Sequence, residues 1–219
     1  MDKRIVNLYF IMGTTNLAGV DPLFVLEEAL KGGITCFQLR EKGHGALQGE
    51  KLKSFAIACK QLCEQYNVPF IINDDLELAI EIKADGVHLG QEDGDISAVR
   101  KRVGEGMLIG VSTHNVEEAL AASDAGANYI GLGPVYETQS KSDTQPIIGI
   151  EVISEVAALL PGLPIVGIGG ITERKAGAVI KAGASGVAVI SAISGEEDPA
   201  EAASRMKGAV LLSLTGIEM

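Results

Sequence analysis

Short apolar runs alternate with amphipathic stretches along the whole chain. The runs fall at 8–12, 36–39, 70–72, 86–89, 108–111, 129–132, 165–168 and 187–190. They are almost continuously apolar, the pattern of strands buried on both faces. Between them, apolar positions recur at helical spacing over 22–31, 49–66, 76–82, 96–103, 116–125, 150–160, 173–182 and 199–212. Asp21-Pro22 and Asp198-Pro199 each read as an N-cap followed by a first-turn proline. A weak repeat marks the return from helix to strand: Lys31-Gly32-Gly33-Ile34, Lys83-Ala84-Asp85-Gly86, Ala125-Gly126-Ala127-Asn128 and Lys181-Ala182-Gly183-Ala184. Glycine near a helix end permits the left-handed cap that turns the chain back toward a sheet. Eight strand–helix units predict an α/β fold, a single-domain (β/α)8 TIM barrel over 1–219 with no linker to divide it. An open doubly wound sheet shares the alternation, but the count of eight favours the barrel.

Composition then narrows the function. The chain has 219 residues, 47% hydrophobic and 21% charged, which suits a folded protein with a full core. Its 18 basic and 29 acidic residues give a formal charge of −11. That balance argues against nucleic acid or an anionic membrane as partner, because both reward clustered cations. It leaves room for a phosphorylated small molecule, which needs only a few local cations. No apolar stretch approaches the roughly 18 residues of a membrane helix. The opening Met1-Asp2-Lys3-Arg4 leads into an apolar run without a cleavage pattern, so the expected location is cytoplasmic. Cys36, Cys59 and Cys63 are odd in number and read as reduced thiols. Assembly into a homo-oligomer stays open.

In a barrel of this kind the chemistry sits at the C-terminal ends of the strands. The second strand ends in Gln38-Leu39-Arg40-Glu41-Lys42. Alternation puts Gln38, Arg40 and Lys42 on one side, a set that suits a polyphosphate. A salt-bridged strand end involving Glu41 is the plainer reading. The third strand ends in Asn73-Asp74-Asp75 and the fourth in His88-Leu89-Gly90-Gln91-Glu92-Asp93. Asp74 and Asp93 at neighbouring strand ends suit one Mg2+ shared with phosphate oxygens. Asp75 or Glu92 would instead cap the next helix, as Thr113 or Asn115 would cap the one after the fifth strand. Ser112 there is a candidate ligand contact, and His88 reads as a packed core residue rather than a catalyst. After the sixth strand comes a long polar loop, Glu137-Thr138-Gln139-Ser140-Lys141-Ser142-Asp143, read as a lid over phosphate or as a surface loop. Gly167-Ile168-Gly169-Gly170 after strand seven, with a helix start after Ile190-Ser191, fits a backbone-built phosphate site. Two anion sites at one barrel mouth suggest group transfer with pyrophosphate as the leaving group.

These motifs, in this order and at eight-strand spacing, make the chain resemble the thiamine-phosphate synthase family over nearly its whole length. To those above the resemblance adds Gly110-Val111-Ser112, Gly131-Leu132-Gly133-Pro134-Val135-Tyr136 and Ile190-Ser191-Ala192-Ile193. It implies a TIM-barrel transferase of thiamine biosynthesis. The enzyme would join 4-amino-2-methyl-5-hydroxymethylpyrimidine diphosphate to 4-methyl-5-(2-phosphoethyl)thiazole, giving thiamine phosphate and pyrophosphate. It further implies that Gln38, Leu39, Arg40, Glu41, Lys42 and Asn73 hold the pyrimidine diphosphate and that Asp74 and Asp93 ligate Mg2+. Ser112 and Lys141 would reach the pyrimidine substrate or its pyrophosphate, so Arg40, Lys42, Lys141 and Ser112 would be the catalytic set. Thr138, Gln139, Ser140, Gly170, Ile190 and Ser191 would bind the thiazole phosphate. The family's lid commonly reads Pro-Thr-x-Thr-Lys, so Glu137 and Ser140 are departures, and Glu137 is expected to loosen the loop. The rival readings are a thiazole tautomerase of the same fold, which would shuttle a proton on His88 or His114, a non-catalytic phosphate sensor, and a sugar-phosphate isomerase. The diphosphate cluster argues against the first, the metal pair and lid against the second, and the lack of an acid–base pair against the third.

Overall fold

The structure is a computed structural model and describes residues 1–17, 19–138 and 146–216. Strands β1 (Leu8–Met12), β2 (Cys36–Leu39), β3 (Phe70–Asn73) and β4 (Gly86–Leu89) are followed by β5 (Leu108–Thr113), β6 (Tyr129–Leu132), β7 (Ile165–Ile168) and β8 (Gly186–Val189). Each pairs in parallel with the next, and β8 returns to β1 to close the barrel. The open doubly wound sheet is thereby excluded. Helices α1 (Pro22–Gly32), α2 (Gly49–Gln65), α3 (Leu76–Glu81) and α4 (Ile96–Val103) cross between the first five strands. Helices α5 (Val116–Asp124), α6 (Glu151–Leu159), α7 (Glu173–Lys181), α8 (Ser191–Ser194) and α9 (Pro199–Thr215) complete the outer ring.

The apolar runs locate the strands closely, and the differences have simple causes. Asn73 joins β3 because its partner across the ladder is His88 of β4. Ser112 and Thr113 extend β5 because they pair with Gly131 and Leu132. Strand β8 ends at Val189, so Ile190 is the residue before the short helix α8 rather than the end of a strand.

Because strand side chains alternate, the core divides in two. Phe10, Phe37, Leu39, Phe70, Val87, Ile109, Ile130 and Val187 face outward into one apolar cluster with the helices. Tyr9, Ile11, Cys36, Ile71, Tyr129, Val166 and Ala188 face inward and fill the barrel. Helix starts follow the sequence rules. Asp21 and Asp198 cap α1 and α9 ahead of their prolines. Asp75 caps α3 and Asn115 caps α5. Helix α4 is capped by Asp95, not Glu92.

The end of the barrel opposite the strand C-termini is tied by Arg100 on α4. Its guanidinium donates to Gly126 O at 3.2 and 3.1 Å, to Met107 O at 3.0 Å, and to Gly104 O and Asn128 Oδ1. Asn128 Oδ1 also accepts from Ile109 N at 2.8 Å, so one cation orders the entries to both β5 and β6. Replacing it strands several carbonyls at once. Arg100→Ala is expected to lower unfolding free energy by about 2–3 kcal/mol in urea denaturation. A loss below about 0.5 kcal/mol, the usual scale of a surface change, would contradict this role.

Candidate active site

The ends of β2, β3 and β4 bring together most of the charged residues that the sequence singled out. Gln38 points into the barrel and is buried. Leu39 points outward and forms, with Leu52, Ile72 and Leu78, the apolar side of a cavity of about 280 Å3. Lys42, Asn73 and Asp74 line the same cavity, while Arg40 is half-buried. Glu41 is committed to loop structure. Its carboxylate accepts from Thr14 N at 2.7 Å, from Leu47 N at 2.9 Å and from Thr14 Oγ1. It thus braces the loops after β1 and β2 against each other, and among the described residues it makes no salt bridge. The loops lie so close that a Cβ on Gly13 would stand 2.2 Å from Arg40 O. Lys42 instead pairs with Asp74.

Asp74 is held in a backbone conformation that side chains seldom adopt, with φ +62°. Its N–H donates to His88 O at 2.8 Å, which fixes it to the end of β4. Its Oδ2 is shut off from solvent and pairs with the Lys42 ammonium. Asp93 approaches from the next loop, where its Oδ2 accepts Gly90 N at 2.7 Å. Burial, and then the neighbouring Asp93 carboxyl, push the Asp74 pKa above the usual carboxylate range, and Lys42 opposes that only in part. Among the described residues no three His, Cys, Asp or Glu side chains cluster as a complete metal site. Two converging carboxylates, one with an oxygen shut off from solvent, fit a hard cation whose remaining ligands come from a substrate.

Inside the barrel mouth lies a continuous polar chain that the sequence reading missed. Gln38 Nε2 donates to Tyr9 Oη at 2.9 Å. Tyr9 Oη and Tyr129 Oη are 2.7 Å apart, and Tyr129 Oη lies 3.2 Å from His88 Nδ1. His88 Nε2 lies 2.9 Å from Ser112 Oγ. His88 is buried, as a packed residue would be, but both ring nitrogens are engaged. The clue available in the sequence was two tyrosines in otherwise aliphatic strands, where a buried hydroxyl requires a partner.

The loops after β6, β7 and β8 form the other side. Val135 N donates to Ile168 O at 2.8 Å and Tyr136 N to Gly169 O at 3.0 Å. Gly169 and Gly170 have φ of +101° and +61°, and a Cβ on Gly170 would sit 2.2 Å from Glu137 O. The backbone up to Glu137 is therefore pinned by the β7 loop, and the loosening expected from losing proline at 137 does not reach these residues. Lys175, which the sequence did not single out, donates to Gly170 O at 3.2 Å and sits 4.5 Å from the Tyr136 ring centroid. Ile190 is buried and Ser191 exposed at the start of α8, beside the β7 loop because β7 and β8 are paired. Thr138 is half-buried. Gln139, Ser140 and Lys141 lie outside the described residues.

A closed parallel barrel with charged side chains, a buried polar chain and glycine turns all at its strand C-termini defines a (β/α)8-barrel enzyme. The sequence profile of the thiamine monophosphate synthase family matches residues 8–193, and the chain belongs to that family. It is 54% identical over 201 residues to a thiamine-phosphate synthase of Bacillus licheniformis, covering 92% of this chain and 89% of the relative. It is 48% identical to one of Bacillus velezensis over 217 residues, covering 99% and 96%. A thiamine phosphate pyrophosphorylase structure from Pyrococcus furiosus superposes with a TM-score of 0.86 at 32% identity, over 97% of this chain and 98% of that one.

A carboxyl with a raised folded-state pKa binds its proton more tightly folded than unfolded. Its contribution to stability therefore falls as pH rises from the ordinary carboxylate range through the folded value. Asp74→Asn removes that penalty and suits the left-handed backbone. Its melting temperature should exceed that of the parent at pH 7, with the gap closing in acid. A variant less stable than the parent at pH 7 would contradict the reading.

Proposed function

We propose that this enzyme condenses 4-amino-2-methyl-5-hydroxymethylpyrimidine diphosphate with 4-methyl-5-(2-phosphoethyl)thiazole, giving thiamine phosphate and pyrophosphate. The observation that carries the reading is the meeting of Lys42, Asp74 and Asp93 beside the polar recess of the barrel mouth. That arrangement suits a diphosphate whose attached ring enters the recess. Family membership supplies the reaction class. The whole chain, 1–219, acts as one catalytic domain in the cytoplasm, on phosphorylated small molecules rather than nucleic acid or membrane.

Arg40, Lys42, Asn73 and Lys141 hold the diphosphate, with Gln38 and Ser112 around the pyrimidine and Leu39 on the apolar wall of the neighbouring cavity. Glu41 serves them by bracing the loop. Asp74 and Asp93 would hold Mg2+, which would supply positive charge against the departing pyrophosphate. For that, Lys42 gives up Asp74 and turns to a phosphate oxygen. The pyrimidine amino group donates electrons into its ring, so the methylene C–O bond can break with its electron pair leaving on pyrophosphate. Arg40, Lys42 and Lys141 neutralise that leaving group. The thiazole nitrogen then forms the new C–N bond. Thr138, Gln139, Ser140, Gly170, Ile190 and Ser191 fix its phosphate and so its line of approach. The step needs no protein nucleophile or general base.

Mixing both substrates with Mg2+ should release thiamine phosphate and pyrophosphate in equal amounts. No product under those conditions would overturn the reading. Asp93→Ala should abolish Mg2+-dependent turnover, and parent-like activity would remove Asp93 from the metal site. Ser191→Asp places a negative charge where the thiazole phosphate should lie. It should raise the KM for that substrate about tenfold or more while leaving the pyrimidine KM nearly unchanged. An unchanged thiazole KM would move the phosphate site elsewhere.

A further inference from the structure

The interior chain carries more information than a set of satisfied hydroxyls, because each phenol has only one proton to give. Tyr9 Oη accepts from Gln38 Nε2, and the chain runs one way if Tyr9 gives its own proton to Tyr129 Oη, a contact in which either phenol can donate. Tyr129 Oη is then an acceptor from Tyr9, and its proton goes to His88 Nδ1. An imidazole that accepts at Nδ1 carries its proton on Nε2 and donates it to Ser112 Oγ. Ser112 then has its hydroxyl proton to offer at the recess that it lines with Gln38 and His88. Burial pushes both tyrosine pKa values far upward, so the phenols stay protonated throughout.

The barrel is built to make this contact. Gly110 of β5 stands opposite His88 on one side and Tyr129 on the other. A Cβ there would lie 2.2 Å from Tyr129 Cζ and 2.5 Å from His88 Nδ1. Glycine at 110 is therefore the gap through which the two side chains meet. Gly131, opposite Ser112, likewise leaves room at the His88 ring, whose Cε1 would be 3.2 Å from a Cβ.

We infer that Gln38, Tyr9, Tyr129, His88 and Ser112 form a one-way hydrogen-bond relay that holds neutral His88 with its proton on Nε2 and presents the Ser112 hydroxyl to the substrate's pyrimidine ring as a donor. The complement of such a donor is a ring nitrogen with a lone pair, which an aminopyrimidine displays. The recess, about 20 Å3, takes the edge of a ring rather than its body. Tyr129 and His88 are positioning residues: they act on the substrate through Ser112. This rests on the pyrimidine reading above, but its first test does not.

Two-bond 15N–1H correlation spectra of the 15N-labelled, ligand-free protein report the tautomer directly. The chain has three histidines to assign. His88 should show the Nε2–H neutral form. The reverse polarity, with Ser112 donating into the ring, would place the proton on Nδ1 and overturn the proposal. Tyr129→Phe keeps the ring but removes the proton donated to Nδ1, and should release His88 to tautomer exchange. Its kcat/KM for the pyrimidine diphosphate should fall about tenfold with the thiazole phosphate KM unchanged. Parent-like values for both the His88 spectrum and the pyrimidine kcat/KM would also overturn it. If the variant does not fold, the parent tautomer decides. If the parent makes no thiamine phosphate, the pyrimidine reading fails while the spectrum still tests the relay.

Discussion

A polar group inside a closed barrel must find its partner inside the barrel. Water does not reach it, and the strands have already spent their own backbone groups on one another. Tyr9, Tyr129, Gln38 and His88 obey that constraint together. Each supplies a donor or an acceptor to the next. The rest of the interior follows from this. Gly110 and Gly131 yield their volume to the aromatic rings, and the aliphatic residues Ile11, Ile71 and Val166 fill what the chain leaves. A core of interlocked hydrogen bonds is less forgiving than one of methyl groups, because an orphaned buried hydroxyl costs about 1–3 kcal/mol. It also orders the mouth of the barrel before any ligand arrives.

The same logic explains how so acidic a chain can hold anions. Net charge is a property of the surface, whereas the mouth sets its own balance. Lys42 and Arg40 lie at the end of β2, Lys175 reaches the β7 loop, and the backbone of Gly169 and Gly170 is shaped by close approach rather than charge. Asp74 is the exception that marks the site. It combines a left-handed backbone, a carboxylate oxygen shut off from solvent, and a second carboxyl as neighbour. Each is unfavourable alone, and such costs persist where the surrounding structure over-determines them. Here His88 O holds its N–H and Lys42 holds its carboxylate.

Much of the fold was legible because it depends on local rules. Apolar runs mark strands buried on both faces, and Asp-Pro pairs mark helix starts, as at Asp21 and Asp198. The charged cluster was legible because strand ends in a barrel converge. What escaped depends on register. Nothing local in Gly110 says that His88 and Tyr129 stand on either side of it; that follows only once β4, β5 and β6 are paired. Tyr9 and Tyr129 are 120 residues apart and meet only on closure. The bracing role of Glu41 escaped for a related reason. Its partners, Thr14 and Leu47, lie on two different loops, and the approach of one to the other is a tertiary fact.

Register also bears on the departure at residue 137. A proline there would stiffen the chain by fixing its own φ, a local device. In this protein the stretch from Val135 to Glu137 is held from outside instead. Two backbone hydrogen bonds tie it to Ile168 and Gly169, Gly170 packs against the Glu137 carbonyl, and Lys175 lies beside the Tyr136 ring. These contacts involve backbone or a neighbouring side chain, so they are indifferent to which side chain stands at 137. Proline would add little order to a segment fixed this way, and glutamate removes little. The glycines at 169 and 170 are then structural twice over: they give the β7 loop its turn and they admit the next loop close enough to be held.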